Sequence, residues 1–135
     1  MSMKSLKLLF IGALLSGCVI TDQGIGINSP QPDVFICLNA VSTAEAEEMK
    51  DKIDSESFPD DRLERGKFLA KDRCFQVSHD MIVLDAFIFD SKRLEMAKYL
   101  YNRTENKSDY DIVISSFTFK SDRDELRDYI EMIEG

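Results

Sequence analysis

The sequence contains a single histidine, His79, and neither a glycine-rich phosphate loop nor a G-x-S-x-G nucleophile turn. One imidazole excludes metal sites built from two histidines and any mechanism that needs two. None of the acidic groups has the glycine and the terminal glutamate of a calcium loop. We therefore expect no metal, no cofactor and no catalytic residue. The acidic groups are Asp60–Asp61, Asp109–Asp111 and Asp122–Asp124–Glu125.

The sequence also lacks an excess of basic residues. It has 25 acidic and 17 basic residues in 135, and a net charge of −8. A chain this acidic is unsuited to neutralising phosphates, so we expect no nucleic-acid partner. The acidity is typical of a solvated surface, with a specific acidic docking face as the alternative. The length is that of one domain.

No apolar run in the first eighteen residues is long enough to span a bilayer, which takes about 20 residues. Lys4 and Lys7 precede an apolar core of eight residues, Leu8 to Leu15, which has the order of an export signal. The ending "LSGC" resembles the bacterial lipobox. That resemblance implies a signal peptide over 1–17, cleavage before Cys18, and a diacylglyceryl group and an N-acyl chain on Cys18.

Two or three acyl chains on one residue give stable membrane attachment. The resemblance therefore implies a protein anchored in the lipid bilayer of a bacterial cell membrane, with its domain on the periplasmic or outer side. Residue 19 is Val19 and not the aspartate that resembles an inner-membrane retention signal in enteric bacteria. The outer membrane is therefore favoured.

Residues 18–33 comprise the lipidated cysteine and a tether rich in glycine and proline. An N-terminal segment and helix follow over 34–56. The run Val34 to Val41 fits either a strand or a buried helix. Ser42 or Thr43 then predicts a helix cap, and that helix should extend to about Ile53.

The domain over 57–135 repeats one phrase three times: "FPDDRLERGKFLA", "FDSKRLEMAKYLY" and "FKSDRDELRDYIE". The spacing of its apolar positions predicts one buried helical face in each phrase. Helix caps are expected two residues after each opening phenylalanine, at Asp60, Ser91 and Ser121. The equivalent apolar positions are Leu63 and Leu94 (with Leu126 shifted in the third phrase); Phe68, Tyr99 and Tyr129; Leu69, Leu100 and Ile130.

Two more helical stretches lie between the phrases. Their apolar residues recur at three- and four-residue spacing, and Ser78 and Ser108 are the expected caps. The sequence therefore predicts an all-α fold of about six short helices, in stacked helix pairs with a repeat of about 30 residues. The apolar positions are Val77, Met81, Leu84 and Ile88, and then Tyr110, Val113, Ile114 and Phe117.

From Ile53 to Met132 the chain resembles domain-of-unknown-function family 4476. The resemblance departs at Asn102 to Asn106. It implies the fold and no catalytic residue, because no activity is assigned to that family. It is carried by Ser57–Phe58, Gln76–Val77, Phe87, Phe89–Asp90–Ser91, Arg93–Leu94–Glu95, Ala97–Lys98–Tyr99, Tyr101, Phe117, Phe119, Ser121, Glu125–Leu126 and Tyr129–Ile130.

Cys37 and Cys74 are the cysteines that remain once Cys18 is lipidated. An even count in an exported chain predicts a disulfide, and two buried thiols are the alternative. Either cysteine beside His79 would make a nucleophilic pair, but a histidine near a helix start needs no catalytic explanation.

We expect the aromatic residues of the repeat to lie in the core. With no catalytic set, the sequence favours a membrane-anchored lipoprotein that is not an enzyme and whose domain binds an envelope protein. The alternative is a periplasmic small-ligand or cell-wall binding module. An exposed apolar patch would favour the first, and a pocket with convergent polar groups the second.

Overall fold

The computed structural model describes residues 37–135, and these residues contain six α-helices and no strand. The all-α expectation is confirmed. A single 3₁₀ turn, Lys107–Asp109, lies before α5. The helices are α1 Thr43–Asp54, α2 Pro59–Ala70, α3 Val77–Leu84, α4 Asp90–Tyr101, α5 Asp111–Ser115 and α6 Lys120–Glu134.

Helix α1 begins where the sequence places its cap. The Ser42 hydroxyl accepts from the Glu45 backbone N–H at 3.1 Å, and the Glu45 carboxylate accepts from the Ser42 N–H at 3.0 Å. This reciprocal pair satisfies two backbone donors that a helix start otherwise leaves free. The helix buries Ala46, Met49 and Ile53 and ends at Asp54, one residue beyond the expected end.

Helix α4 lies at the centre of the described domain and packs against α2, α3 and α6. Helix α1 covers α2 and α3, while α5 packs against α3 and α6. Leu63, Leu94 and Leu126, the first leucine of each phrase, are all buried. The largest fully buried apolar side chains are Phe75, Phe117, Ile53, Leu84, Met96, Leu100, Leu126, Val83 and Val113.

The three phrases form α2, α4 and α6, but the expected caps at Asp60, Ser91 and Ser121 are wrong. The N-cap residues are the opening phenylalanines, Phe58, Phe89 and Phe119. Each has an extended backbone, and its carbonyl accepts from the backbone N–H four residues later at 2.9–3.2 Å. The helices therefore start two residues earlier than a polar cap would predict.

The second helix of each pair is shorter than expected. Helix α3 begins at Val77 and not after Ser78, and it ends at Leu84, so Ile88 lies beyond it with 74% of its surface exposed. The expectation that Ile88 lies on the buried face is therefore wrong. The other stretch is divided between the 3₁₀ turn, which contains Ser108, and α5, whose N-cap is Tyr110. There all four apolar residues are buried as expected: Tyr110, Val113, Ile114 and Phe117.

The segment before α1 is neither a full strand nor a helix over its described residues. Ala40 forms an isolated parallel bridge with Cys74, and Phe75 forms another with Thr104. The segment that precedes α1 and the loops that follow α2 and α4 therefore meet at one end of the domain.

Candidate functional site

The three phenylalanines that open the phrases are exposed. Phe58, Phe89 and Phe119 have 66%, 57% and 59% of their surface accessible. An N-cap residue lies outside the helical face that packs on a neighbour, so its side chain can point away from the core. The expectation that these aromatic residues belong to the core is therefore wrong.

Each exposed phenylalanine of the second and third phrases follows a buried one by two residues. Phe87 and Phe117 lie in the core, whereas Phe89 and Phe119 are exposed. Side chains two apart share a face in a regular strand, but here the chain turns from a loop into a helix between them. The two rings of each F-x-F pair therefore have different environments.

A shallow depression lies where the start of α2 meets the loop before α4. Its volume is about 50 Å³, well below the roughly 300–1,000 Å³ typical of ligand pockets. Arg62 in its wall already donates to the carbonyls of Glu56 at 2.9 Å and Ala86 at 2.7 Å. Both charged side chains of its wall are thus engaged, since Lys92 pairs with Asp60. Its lining is Ser57, Pro59, Arg62, Phe87, Ile88, Phe89 and Lys92.

The surface continues from this depression along α2. Phe58 and Phe89 line one shared concavity together with Asp60 and Asp61. Asp60 and Asp61 in turn line the next concavity, which ends at Phe68. Phe68 was expected on the buried face but is 68% exposed. We name this continuous area the α2–α4 surface, and its exposed members are Phe58, Asp60, Asp61, Glu64, Phe68, Ile88 and Phe89.

The charges of the α2–α4 surface are predominantly acidic. The Asp60 carboxylate lies 2.6 Å from the Lys92 ammonium, and this hydrogen bond raises the pKa of Lys92 above its usual value. In the described part of the chain, no ion pair involves Glu56, Asp61 or Glu64. Arg65 contributes the positive charge of this stretch.

Of the predicted site residues, Cys18 lies outside the described residues, as do the signal peptide and the tether. The structure joins Cys37 and Cys74 in a disulfide with their Cα atoms 6.1 Å apart, a usual separation for such a bond. Around it, the Arg73 guanidinium donates to the Asn39 carbonyl at 3.1 Å and pairs with Glu45 at 2.8 Å.

Both cysteines of the disulfide belong to a group of three side chains whose potential metal-ligand atoms lie close together. In the described part of the chain it is the one such group. Cys37, Cys74 and Glu105 have these atoms within 4.8 Å of one another. Thiolates are the form of cysteine that binds metals. With the sulfurs bonded to each other, the group retains a single carboxylate, which accepts from the Gln76 side-chain amide at 2.7 Å.

His79 lies in the first turn of α3. Its Nδ1 is the acceptor for the Gln76 backbone N–H at 3.3 Å, and its Nε2 is 3.4 Å from the Thr43 hydroxyl. These contacts link the start of α3 to α1. They give the histidine a structural role.

Asp80 is a fully buried acid that the sequence does not predict as a site residue. Its Oδ2 lies 2.6 Å from the hydroxyl of Thr104, which is also fully buried, and its Oδ1 has no hydrogen-bond partner. Burial raises the pKa of Asp80 to about 8. The Thr104 hydrogen bond and the charge of Lys107 act in the opposite direction. Nothing in the amphipathic pattern of α3 distinguishes this acid from a solvated one.

The described residues thus define a small all-α domain with an exposed aromatic and acidic surface. The profile of the family described as "Domain of unknown function (DUF4476)" matches residues 40–130. Because the match covers more than half of the sequence, the chain belongs to this family. No curated protein and no solved structure matches the chain. None of the helices within residues 37–135 is both long and apolar enough to cross a membrane.

Proposed function

We propose that this protein is a lipid-anchored lipoprotein of the bacterial cell envelope whose helical domain binds a protein partner. The observation that carries the binding proposal is the α2–α4 surface. Phe58, Ile88, Phe89 and Phe68 are large apolar side chains left exposed along one continuous surface. Contiguous exposed apolar area of this kind is typical of protein interaction sites.

The shape of the surface favours a protein over a small ligand. A small-molecule site is usually concave, with a few polar groups directed at the ligand. Here the arginine and lysine of the depression between α2 and the loop before α4 are occupied by backbone carbonyls and by Asp60. The exposed rings instead offer the broad apolar contact that aromatic residues provide at interfaces.

The first described residue and the two phenylalanines that open α2 and α4 lie at opposite ends of these helices. The described chain starts at Cys37, beside Lys71, Asn102 and Arg103, at the C-terminal ends of α2 and α4. Phe58 and Phe89 lie at the N-terminal ends of the same helices. Twelve helical residues span about 18 Å. Phe58 and Phe89 are therefore about one helix length from Cys37, whereas Phe68 lies in the last turn of α2.

Site-specific photo-crosslinking in cells tests the binding proposal. A photoreactive phenylalanine analogue replaces Phe89, and a control chain carries it at Ile112, which is similarly exposed on α5. We expect one recurrent protein adduct from position 89 and much less of it from position 112. Recovery of the chain alone, with the crosslinker active, would contradict the proposal and favour a small ligand or a cell-wall component.

Membrane fractionation tests the anchor separately. The Cys18→Ala chain lacks the sulfur that would carry the lipid, so we expect it to leave the membrane fraction. A Cys18→Ala chain that stays fully membrane-bound would contradict lipid anchoring, whatever the crosslinking shows. Separation of inner and outer membranes then tests the expected outer-membrane location.

A further inference from the structure

We infer that the partner of the α2–α4 surface presents a basic amphipathic segment, with apolar side chains at one end and lysine or arginine at the other. This inference rests on the proposed protein-binding function and specifies the chemistry of the partner. It follows from the way in which apolar and acidic residues are distributed along the surface.

The two ends of the surface differ in character. Around the start of α4, Ile88 and Phe89 are exposed above the buried Phe87 ring, and the charged residues there are already engaged. This end suits apolar side chains, which gain free energy by leaving water and need no polar partner.

The end along α2 carries the uncompensated charge. Asp61 and Glu64 are exposed and have no ion-pair partner among the described residues, while Glu56 lines the same concavity. Arg65 offsets one of these three charges. A cationic side chain would find carboxylates here without having to displace a lysine or an arginine.

Aromatic rings border the acidic end on both sides. Phe58 lies at its start and Phe68 ten residues later, a distance of about 15 Å along the helix. The face of a phenylalanine ring attracts an ammonium or a guanidinium group. Carboxylates and rings together therefore favour lysine or arginine, whereas the same carboxylates repel the phosphates of nucleic acids and anionic lipids.

A defined peptide probe tests this inference. The probe is a synthetic peptide of about 14 residues, or about 21 Å as a helix, with leucine concentrated in one half and lysine in the other. A second probe has glutamate in place of every lysine. Binding is measured by calorimetry to the full-length protein in phosphatidylcholine nanodiscs, with empty nanodiscs as the blank. We expect the lysine probe to bind and the glutamate probe not to bind.

Two double variants with the same change in net charge locate the interaction. Asp61→Asn with Glu64→Gln removes the two exposed acids of the surface that have no ion-pair partner among the described residues, and Glu47→Gln with Glu48→Gln removes two exposed acids of α1. We expect the first variant to weaken binding of the lysine probe by about tenfold and the second by less than about twofold. Raising NaCl from about 50 to about 500 mM should remove most of that difference by screening.

Single variants test the aromatic part of the surface. Phe58→Ala and Phe68→Ala should each weaken binding of the lysine probe, whereas Phe119→Ala, at a ring of similar exposure, should not. Equal binding of the two probes, or equal effects of the two acid variants, would overturn the inference.

Failure of this inference can be told apart from failure of the proposed function. If position 89 crosslinks to a protein in cells with the same yield after Asp61→Asn and Glu64→Gln, protein binding stands and the basic partner is wrong. If position 89 yields no protein adduct even in the otherwise unmodified chain, the proposed function itself fails.

Discussion

The C-terminal and N-terminal ends of α2 and α4 differ in how closely other segments of the chain are joined to them. At the C-terminal ends, the segment before α1 and the loops after α2 and α4 are joined by backbone hydrogen bonds. The Val41 N–H donates to the Cys74 carbonyl at 2.9 Å, and the Phe75 N–H donates to the Arg103 carbonyl at 2.8 Å. The disulfide lies at the same end. At the N-terminal ends, Phe58 and Phe89 face solvent instead.

We call these the cross-linked end and the phenylalanine end. The phenylalanine end is ordered by arginines, since Arg62 donates to the Ala86 carbonyl at 2.7 Å and Arg123 to the Phe117 carbonyl at 2.7 Å. Ordered backbone with exposed rings is a suitable arrangement for binding, because little of the surface has to be fixed when a partner arrives. The covalent cross-link thus lies at one end and the exposed rings of Phe58 and Phe89 at the other.

The largest expected effect on stability comes from replacing the two phenylalanines of one F-x-F pair one at a time. Phe117 is 2% exposed, and the Arg93 guanidinium lies 4.7 Å from its ring centroid, so Phe117→Ala should lower the free energy of unfolding by about 3–5 kcal/mol. Phe119→Ala, two residues later, should change it by less than about 0.5 kcal/mol. Urea denaturation of both variants measures this. Similar losses would mean that the exposed ring also supports the fold.

Loss of the disulfide is the next test, and it concerns the cross-linked end. The bond spans a sequence separation of 37 residues, which corresponds to about 3–4 kcal/mol of stabilisation in the chain-entropy model. We expect Cys37→Ser with Cys74→Ser to lose about this much while binding at the α2–α4 surface persists.

Thiol labelling provides the control for that experiment. The unfolded, unreduced Cys18→Ala protein should show no reactive thiol, and reduction should release two. Two thiols without reduction would show that Cys37 and Cys74 are unpaired, and the predicted loss of stability would then have another cause.

We expect Asp80 to make the stability of the cross-linked end depend on pH. The Thr104 hydroxyl lies 2.6 Å from Asp80 Oδ2 and 2.7 Å from the Leu100 carbonyl. The Thr104 hydroxyl is the donor to Asp80, and this hydrogen bond favours the charged carboxylate. Burial has the larger effect and raises the pKa of Asp80 to about 8.

The sign of the pH effect follows from proton linkage. Between the ordinary pKa of 3.8 and the folded-state value of about 8, the folded protein holds a proton that the unfolded chain releases. The free energy of unfolding should therefore fall as pH rises, by up to about 3 kcal/mol between pH 5 and pH 7 from this group. Asp80→Asn resembles the protonated acid and should remove this slope. Identical slopes in the two proteins would contradict a neutral Asp80.

The sequence predicts the helices better than it predicts their surfaces. Leu63, Leu94 and Leu126 are buried because a three- and four-residue spacing places such positions on one face. The Ser42 cap is also predictable, because its partner Glu45 is three residues away. The buried leucines and the Ser42 cap both depend on residues that are near in sequence, so a local sequence pattern predicts them.

The features that the sequence missed depend on distant residues. Phe58 and Phe89 form one surface only because α2 packs against α4, and the same spacing would suit buried rings. The buried environment of Asp80 likewise depends on Thr104, which follows it by 24 residues. The arginines four residues after each phenylalanine repeat visibly, but their acceptors lie in loops whose positions the sequence does not specify.

The smallest expected effect concerns Gly66, where α2 packs closely against α4. Gly66 lies in the middle of α2, and a Cβ atom there would be 3.1 Å from Met96 Sδ and 3.1 Å from Phe87 Cζ. Gly66→Ala should gain about 1 kcal/mol from helix propensity and lose about 1–3 kcal/mol to crowding, for a net loss of about 1 kcal/mol. Crowding should also displace Phe87, and with it the floor of the α2–α4 surface, so the lysine probe should bind more weakly.

A double-mutant cycle distinguishes crowding from a general loss of helix packing. Met96→Ala removes the side chain that the new Cβ would meet and leaves a cavity beside it. The free-energy losses of Gly66→Ala and Met96→Ala should therefore sum to more than the loss of the double variant. Additive losses would mean that α2 and α4 accommodate the new methyl group without strain. The phenylalanine end would then be free to move independently of the cross-linked end.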